Sequence, residues 1–269
     1  MDADEEAYIL LLLSDSNLPT GSFVASSGLE SHIKHGFGNG NIMTFVQDSL
    51  GTYARSALPF VLDAHRLLYH HINSQDCDLE FLVNNLVALE ELYDSMTLNH
   101  VARRASKAQG VALLTLYTKS FMPPSQSSES LERLAQFFSK YKTLVRAERA
   151  HGHLPTCWGV LTAGLGLSAE RASYLHLFLH ARGLLSAAVR LNKIGPYNAQ
   201  QLLLHQVRPL VTGEAEHCRG MTTGTVRTAP DLVDSELFEA HRQGSANIWP
   251  LGEILAARHD LQHSRIFNS

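Results

Sequence analysis

Apolar residues recur at helical spacing through most of this chain. Behind Asp78, a residue suited to an N-cap, come Leu79, Leu82, Leu86, Leu89 and Tyr93, a stripe with a period near 3.6 residues. Similar stripes run through Val61, Leu62, His65, Leu68 and Tyr69, and through Leu131, Leu134, Phe137, Phe138 and Tyr141. Another, through Leu175, Phe178, Leu179, Leu185 and Val189, follows Ser168 as its cap. A stripe of this kind buries one face of a helix against other helices. The predicted fold is therefore all-α: a single helical-bundle-like domain of about ten helices over residues 1–269, with a C-terminal docking tail. Ala7 to Leu13 alone is left as either a short buried helix or a strand, because periodicity cannot decide over so few residues.

Turn chemistry divides the pattern. Pro19 and Gly21 end the first segment, and a helix is expected from about Phe23 to His35, closing at Gly36. Gly36 to Asn41 is a turn cluster, Thr44 is placed to cap the next helix, and Pro59 predicts a break or kink. One long helical stretch is read from Ser95 to Phe121. Gly110 inside it costs about 1 kcal/mol relative to Ala, so a packing or contact reason is expected. Pro123 and Pro124 mark a linker. Gly152-His153-Leu154-Pro155 opens a Gly-rich helix, and Arg182 falls within an apolar stripe, where its charge needs a partner. From Cys218 to Pro250 the pattern dissolves, with a short helix near Leu232 to His241; residues 222–252 are expected to be a mobile loop. Ile254, Ala257 and Leu261 return to helical spacing in the tail, 253–269.

Composition narrows the function classes. With 45% apolar and 18% charged residues and a formal charge of −4, the chain is globular and has no basic block for nucleic acid. Cys77, Cys157 and Cys218 are odd in number and lack a C-x-x-C spacing, which favours a reducing compartment. The acidic start does not resemble a signal peptide, and Ala7 to Leu13 is too short to span a bilayer. A cytoplasmic protein without membrane contact is expected.

The motifs that suggest chemistry are each incomplete. Gly36-Phe37-Gly38-Asn39-Gly40 is neither G-x-G-x-x-G nor a P-loop, and no strand precedes it. His32 and His35, His176 and His180, and His259 and His263 form pairs. Two ligands without a third rarely hold a metal, so they are read as surface or half-buried histidines. Glu90, Glu91 and Asp94 are read as a solvated helix face, and His151 and His153 as turn and capping residues. No G-x-S-x-G appears. No catalytic residue, bound metal or cofactor is expected.

The two ends carry the most specific signal. Ser14 to Phe23 leads into Ser26-Ser27-Gly28-Leu29-Glu30, and the chain finishes on Arg258-His259-Asp260, then Ser264-Arg265-Ile266-Phe267-Asn268-Ser269. Together they resemble the opening and closing motifs of the urease accessory protein UreF family, with Ile266 where Leu is usual and Phe23 where many members have Tyr. Ser106 to Leu113 resembles the family's S-x-x-Q-G-x-A-L segment in its eukaryotic members. Gly152-His153-Leu154-Pro155 with Gly159, and Leu185 to Asn192 with Gly195-Pro196, match further blocks in order.

The resemblance implies an all-α homodimer without catalysis of its own. It implies a scaffold bridging a UreD/UreH-type accessory protein and the UreG GTPase, so that nickel passes to apo-urease. It places Phe23, Ser26 and Glu30 on one side of a tail contact and Arg258, His259, Ser264 and Arg265 on the other, where Ile266 and Phe267 are both expected to bury apolar area and Phe267 is counted as partner-binding. Gln109 and Gly110 join these as partner-binding residues. Three alternatives stay open: a tail that merely completes the core, a regulator of the GTPase acting through Arg103 or Arg104, and a helical metal-dependent enzyme using the His pairs.

Overall fold

Val46, Leu50, Leu58, Val61 and Leu68 are fully buried along one helix of 32 residues, Ile42–Asn73, on which several of the other helices pack. The computed structural model describes residues 2–37, 41–74, 78–122, 128–226 and 244–269. Among these it is helical with no strand, as the 3.6-residue stripes require. The buried apolar side chains form one contiguous cluster.

In chain order the helices are α1 (Ala3–Leu13), α2 (Leu29–Lys34), α3 (Ile42–Asn73), α4 (Leu79–Met96), α5 (His100–Leu116), α6 (Glu129–Arg146), α7 (Leu154–Gly164), α8 (Ala169–Arg190), α9 (Pro196–Leu202), α10 (Arg208–His217) and α11 (Pro250–Ala257). Short 3₁₀ turns cover Ser22–Val24 and Arg258–Leu261, and wider π turns cover Tyr117–Phe121 and Leu203–Val207. α3 packs chiefly on α7 and α8, and α7 also packs on α5. None of the described helices is long and apolar enough to cross a membrane.

Several caps follow the sequence reading. Asp78 accepts the N–H of Glu80 at 2.9 Å, and Ser168 accepts that of Arg171 at 3.2 Å. Others differ. α1 is a helix, but it buries only Leu13 and leaves Tyr8 and Leu11 exposed. The helix expected over Phe23–His35 is broken by extended and left-handed residues at 25–28. Asn41, not Thr44, caps α3, accepting the N–H of Met43 at 3.0 Å. The stretch expected to be continuous from Ser95 breaks at Asn99, whose carboxamide oxygen accepts the N–H groups of Val101 and Ala102.

Pro59 does not break α3. Without an N–H it leaves the Arg55 carbonyl without its helical donor. That oxygen accepts the N–H of Ala246 at 3.3 Å instead, and Ser245 Oγ donates to the neighbouring Ser56 carbonyl at 2.8 Å. The segment leading into the tail is thus fastened at the proline.

Two glycines explain their helix crossings. A Cβ on Gly110 would lie 2.1 Å from the Gly152 carbonyl oxygen, and one on Gly159 would lie 2.4 Å from that of Val61. Only hydrogen at these positions lets α5 reach the start of α7, and α7 reach α3. Arg182 meets its need for a partner by donating to the Ser14 carbonyl. Of the loop expected at 222–252, Thr222 and Thr223 are held by the buried Asp63 carboxylate, with Thr223 donating through N–H at 2.8 Å and Oγ at 2.7 Å. Its other end already belongs to α11, which begins at Pro250. The short helix expected at 232–241, the 123–127 linker and Cys77 lie outside the described residues, while Cys157 and Cys218 are buried free thiols.

Candidate functional site

The opening turn is shaped to receive another piece of chain. Gly28 has φ +85°, and a Cβ there would lie 2.8 Å from that of Ala256, so α11 rests directly on the start of α2. Ser26 Oγ accepts the N–H of Glu30 at 3.4 Å across this turn. Glu30 itself is fully buried, which would be costly for an unpaired carboxylate. It is not unpaired. The N–H of Ile266 donates to one oxygen at 2.8 Å, that of Phe267 to the other at 3.1 Å, and Lys34 Nζ stands 3.2 Å away. Burial pushes the Glu30 carboxyl up, but the two tail N–H groups and Lys34 together hold it below its ordinary value.

The main chains are laced on either side of this carboxylate. Asn268 N–H donates to the Val24 carbonyl at 2.9 Å, and Ser26 N–H donates to Ser269 O at 2.5 Å. Ser31 Oγ donates to the Leu255 carbonyl at 2.5 Å, and Lys34 Nζ donates to the Ser264 carbonyl. The buried His259 ring stands with Nε2 at 3.1 Å from the Phe267 carbonyl, which assigns its proton to Nε2. His35 Nδ1 lies 2.8 Å from the Ser31 carbonyl, which leaves Nε2 to accept Arg258 Nε at 2.9 Å.

A second cluster ties the tail to α5. Arg104 grips Asp260 through both amino nitrogens, at 2.8 and 3.0 Å, and also donates to the Asn268 carbonyl at 3.1 Å. Arg265 adds a bond to Asp260 at 2.6 Å, and His100 lies 3.3 Å from the same carboxylate. Arg104 foremost, with Arg265 and His100, holds the Asp260 carboxyl down to about 2. Neither Arg103 nor Arg104 is a free guanidinium: Arg103 donates twice to the Thr97 carbonyl, at 2.7 and 3.0 Å.

Four apolar side chains of the fastened ends are exposed. Phe23, Ile254, Leu261 and Ile266 are 64%, 61%, 74% and 57% exposed, whereas Phe267 beside them is buried. Behind the tail lies a cavity of about 350 Å³, walled by Tyr53, His176, His180 and Trp158 and roofed by Trp249 and Phe267. Gln109 also lines it, half-buried, whereas Gly110 is buried against Gly152. The contact that Gly110 makes in the folded chain is with Gly152.

The histidines and acids sort by burial. His176 Nε2 is 2.9 Å from the Tyr53 hydroxyl and His180 Nε2 is 3.0 Å from Ser49 Oγ, with both rings stacked on Tyr53. Burial lowers them to about 3 and about 4, so both are neutral. His32 packs among Phe37, Phe45 and Trp249. Among the described residues no group of three or more His, Cys, Asp or Glu side chains is arranged to hold a metal ion.

The acidic cluster of α4 divides: Glu91 is exposed as expected, but Glu90 and Asp94 are tied into the fold. Glu90 is fully buried; it accepts the N–H of His153 through both oxygens, at 2.9 and 3.1 Å, and the Tyr141 hydroxyl at 3.0 Å. Asp94 accepts from Lys107 at 2.6 Å and lies 3.0 Å from His153 Nε2. The other ring nitrogen, Nδ1, faces Ser106 Oγ at 3.2 Å. Ser106, His153 and Asp94 thus stand in a row, but Ser106 Oγ already accepts the Leu154 N–H at 3.0 Å, and burial lowers His153 to about 4. The row closes the start of α7 onto α4 and α5. The period of α4 could not disclose this, because the partners come from α6 and the 152–154 turn.

These features describe an all-α protein whose two ends are fastened together, with apolar side chains left exposed on them. The sequence model of the UreF family matches residues 39–207. "Urease accessory protein 6" of Cryptococcus neoformans var. grubii is 39% identical over 98% of each chain. An uncharacterized UreF-like urease accessory protein of Schizosaccharomyces pombe is 28% identical over 100% of this chain and 99% of its own. "Urease accessory protein F" of Oryza sativa subsp. japonica is 33% identical over 72% of this chain and 66% of its own. The chain belongs to the UreF family.

Proposed function

We propose that this protein acts in urease maturation as a non-catalytic scaffold. Its docking face is the tail and opening turn, and the occupant of that face is a UreD/UreH-type accessory protein. A UreG-type GTPase joins the assembly, and nickel is the cargo handed to apo-urease, not a resident cofactor. The protein works as a cytoplasmic homodimer. The observation that carries this reading is Glu30, whose buried charge shapes the tail at Ile266 and Phe267, with Phe267 buried and Ile266 left exposed. Exposed apolar groups accompanied in the tail by Arg258 and Arg265 match the composition of a docking surface.

Co-purification tests it. Arg265→Ala and Leu261→Ser should leave the helical circular dichroism and melting temperature of the isolated protein unchanged and reduce recovery of the UreD-type partner severalfold. Full recovery with both variants rejects this face as the contact.

A further inference from the structure

Neither end motif contains the residue that joins them side chain to side chain. That residue is Arg190, the last of α8, whose helix is anchored in the core by Leu184, Leu185, Ala187 and Ala188. Its guanidinium carbon lies 4.5 Å from the centre of the Phe23 ring and 4.2 Å from that of Phe267, and Nη1 donates to the Phe23 carbonyl. One planar cation therefore touches an aromatic ring from each end of the chain. The main-chain bonds to Glu30, Val24 and Ser26 fix the tail relative to the opening turn. Arg104 holds the tail to α5, and Arg190 holds the tail and the opening turn together on α8.

We infer that Arg190 is the positioning residue that latches the tail, and that it does so through its flat guanidinium and not through charge alone. A delocalised plane stacks on aromatic faces while its edge N–H groups remain free to donate; an ammonium carries the same charge but has no plane to lay against a ring. The side chain is exposed, so replacing it opens no cavity in the core. That Arg190 thereby governs partner binding rests on the docking reading proposed above.

Hydrogen exchange of the full-length protein tests the latch. In Arg190→Ala the amides of Ile266, Phe267 and Asn268, which donate to Glu30 and Val24, should exchange about tenfold faster or more, with α3 and α7 unchanged. Arg190→Lys should stay close to the Ala variant. Unchanged tail exchange in Arg190→Ala overturns the latch, and wild-type exchange in Arg190→Lys overturns the role of the planar group. Recovery of the UreD-type partner is read separately. A tail that opens while the partner still binds in full keeps the latch and rejects the docking reading; a tail that opens with weakened recovery supports both.

Discussion

The carboxylate of Glu30 and the main chain of Phe267 are joined by a 3.1 Å hydrogen bond, with Ile266 bonded to the other carboxylate oxygen, across 237 residues of sequence. Each bond to a buried charged group contributes about 1.5–3 kcal/mol. Glu30→Ala removes both and is expected to weaken tail closure by about 3–6 kcal/mol, with little change in the bundle. Acid should act the same way. The Glu30 carboxyl is held below its ordinary 4.5, so its contribution is present above that value and is lost as pH falls below it. The protection of amides 266–268, taken relative to the intrinsic exchange rate at each pH, should fall in the wild type as the pH is lowered through 4.5 and before the helices melt; in the Ala variant it should already be low at neutral pH.

Pro59 and Ala246 form a less obvious pair. The proline leaves the Arg55 carbonyl open, and Ala246 N–H fills it. Pro59→Ala supplies a competing helical N–H at position 59. We expect α3 to gain stability, since an interior proline costs about 3 kcal/mol in a helix, and Ala246 to lose amide protection. Loss of protection at 246 with a raised melting temperature is the expected pair of results; retained protection at 246 means the pre-tail segment is fastened elsewhere.

Two glycines in helices should respond with opposite signs. At Gly110 an added methyl would lie 2.1 Å from the Gly152 oxygen and 2.8 Å from the His153 carbonyl carbon, both of them backbone atoms. Gly110→Ala should therefore force α5 and α7 apart and cost about 3 kcal/mol or more. At Gly183 an added methyl would meet nothing within 4 Å, so Gly183→Ala should stabilise α8 by about 0.5–1 kcal/mol. Urea denaturation of the two variants measures both.

The helical class and the Asp78 and Ser168 caps were legible because each rests on chemistry local in sequence; Gly110 signalled a contact but not that Gly152 makes it. The pairing of the two ends was legible only through the family resemblance; no period or cap links Glu30 to Phe267. What stayed hidden depended on partners distant in the chain. Glu90 sits on α4 in a position that the helical period allows to face solvent, and only Tyr141 and the 152–154 turn make a buried carboxylate tolerable there. Pro59 reads as a breaker because its neighbours do not reveal that Ala246 will satisfy Arg55. Arg190 looks like an ordinary basic residue at a helix end until the folded chain brings Phe23 and Phe267 to it.

Glu90 also sets a pH dependence that can be isolated. Burial foremost, only partly offset by its hydrogen bonds, pushes its carboxyl up to about 7 from an ordinary 4.5. The folded chain then holds a proton that the unfolded chain has released between those values, so this group's contribution to stability falls as pH rises from 4.5 to 7 and is constant above. The gap corresponds to about 3 kcal/mol. His153, His176 and His180 work against it: their values are depressed by burial, so their contributions are lost as pH falls below 6.5. Three histidines outweigh one carboxyl, so the wild-type profile should show a net loss of stability as pH falls below 6.5, which masks the opposite contribution of Glu90. Glu90→Gln keeps a carbonyl acceptor for the His153 N–H and removes the titrating proton. Its stability relative to wild type should rise by about 3 kcal/mol between about pH 4.5 and 7.5, measured by urea denaturation at each pH. A difference between the two proteins that stays constant over that range means Glu90 keeps one protonation state throughout, and the buried carboxylate would have to be reassigned as permanently charged at the start of α7.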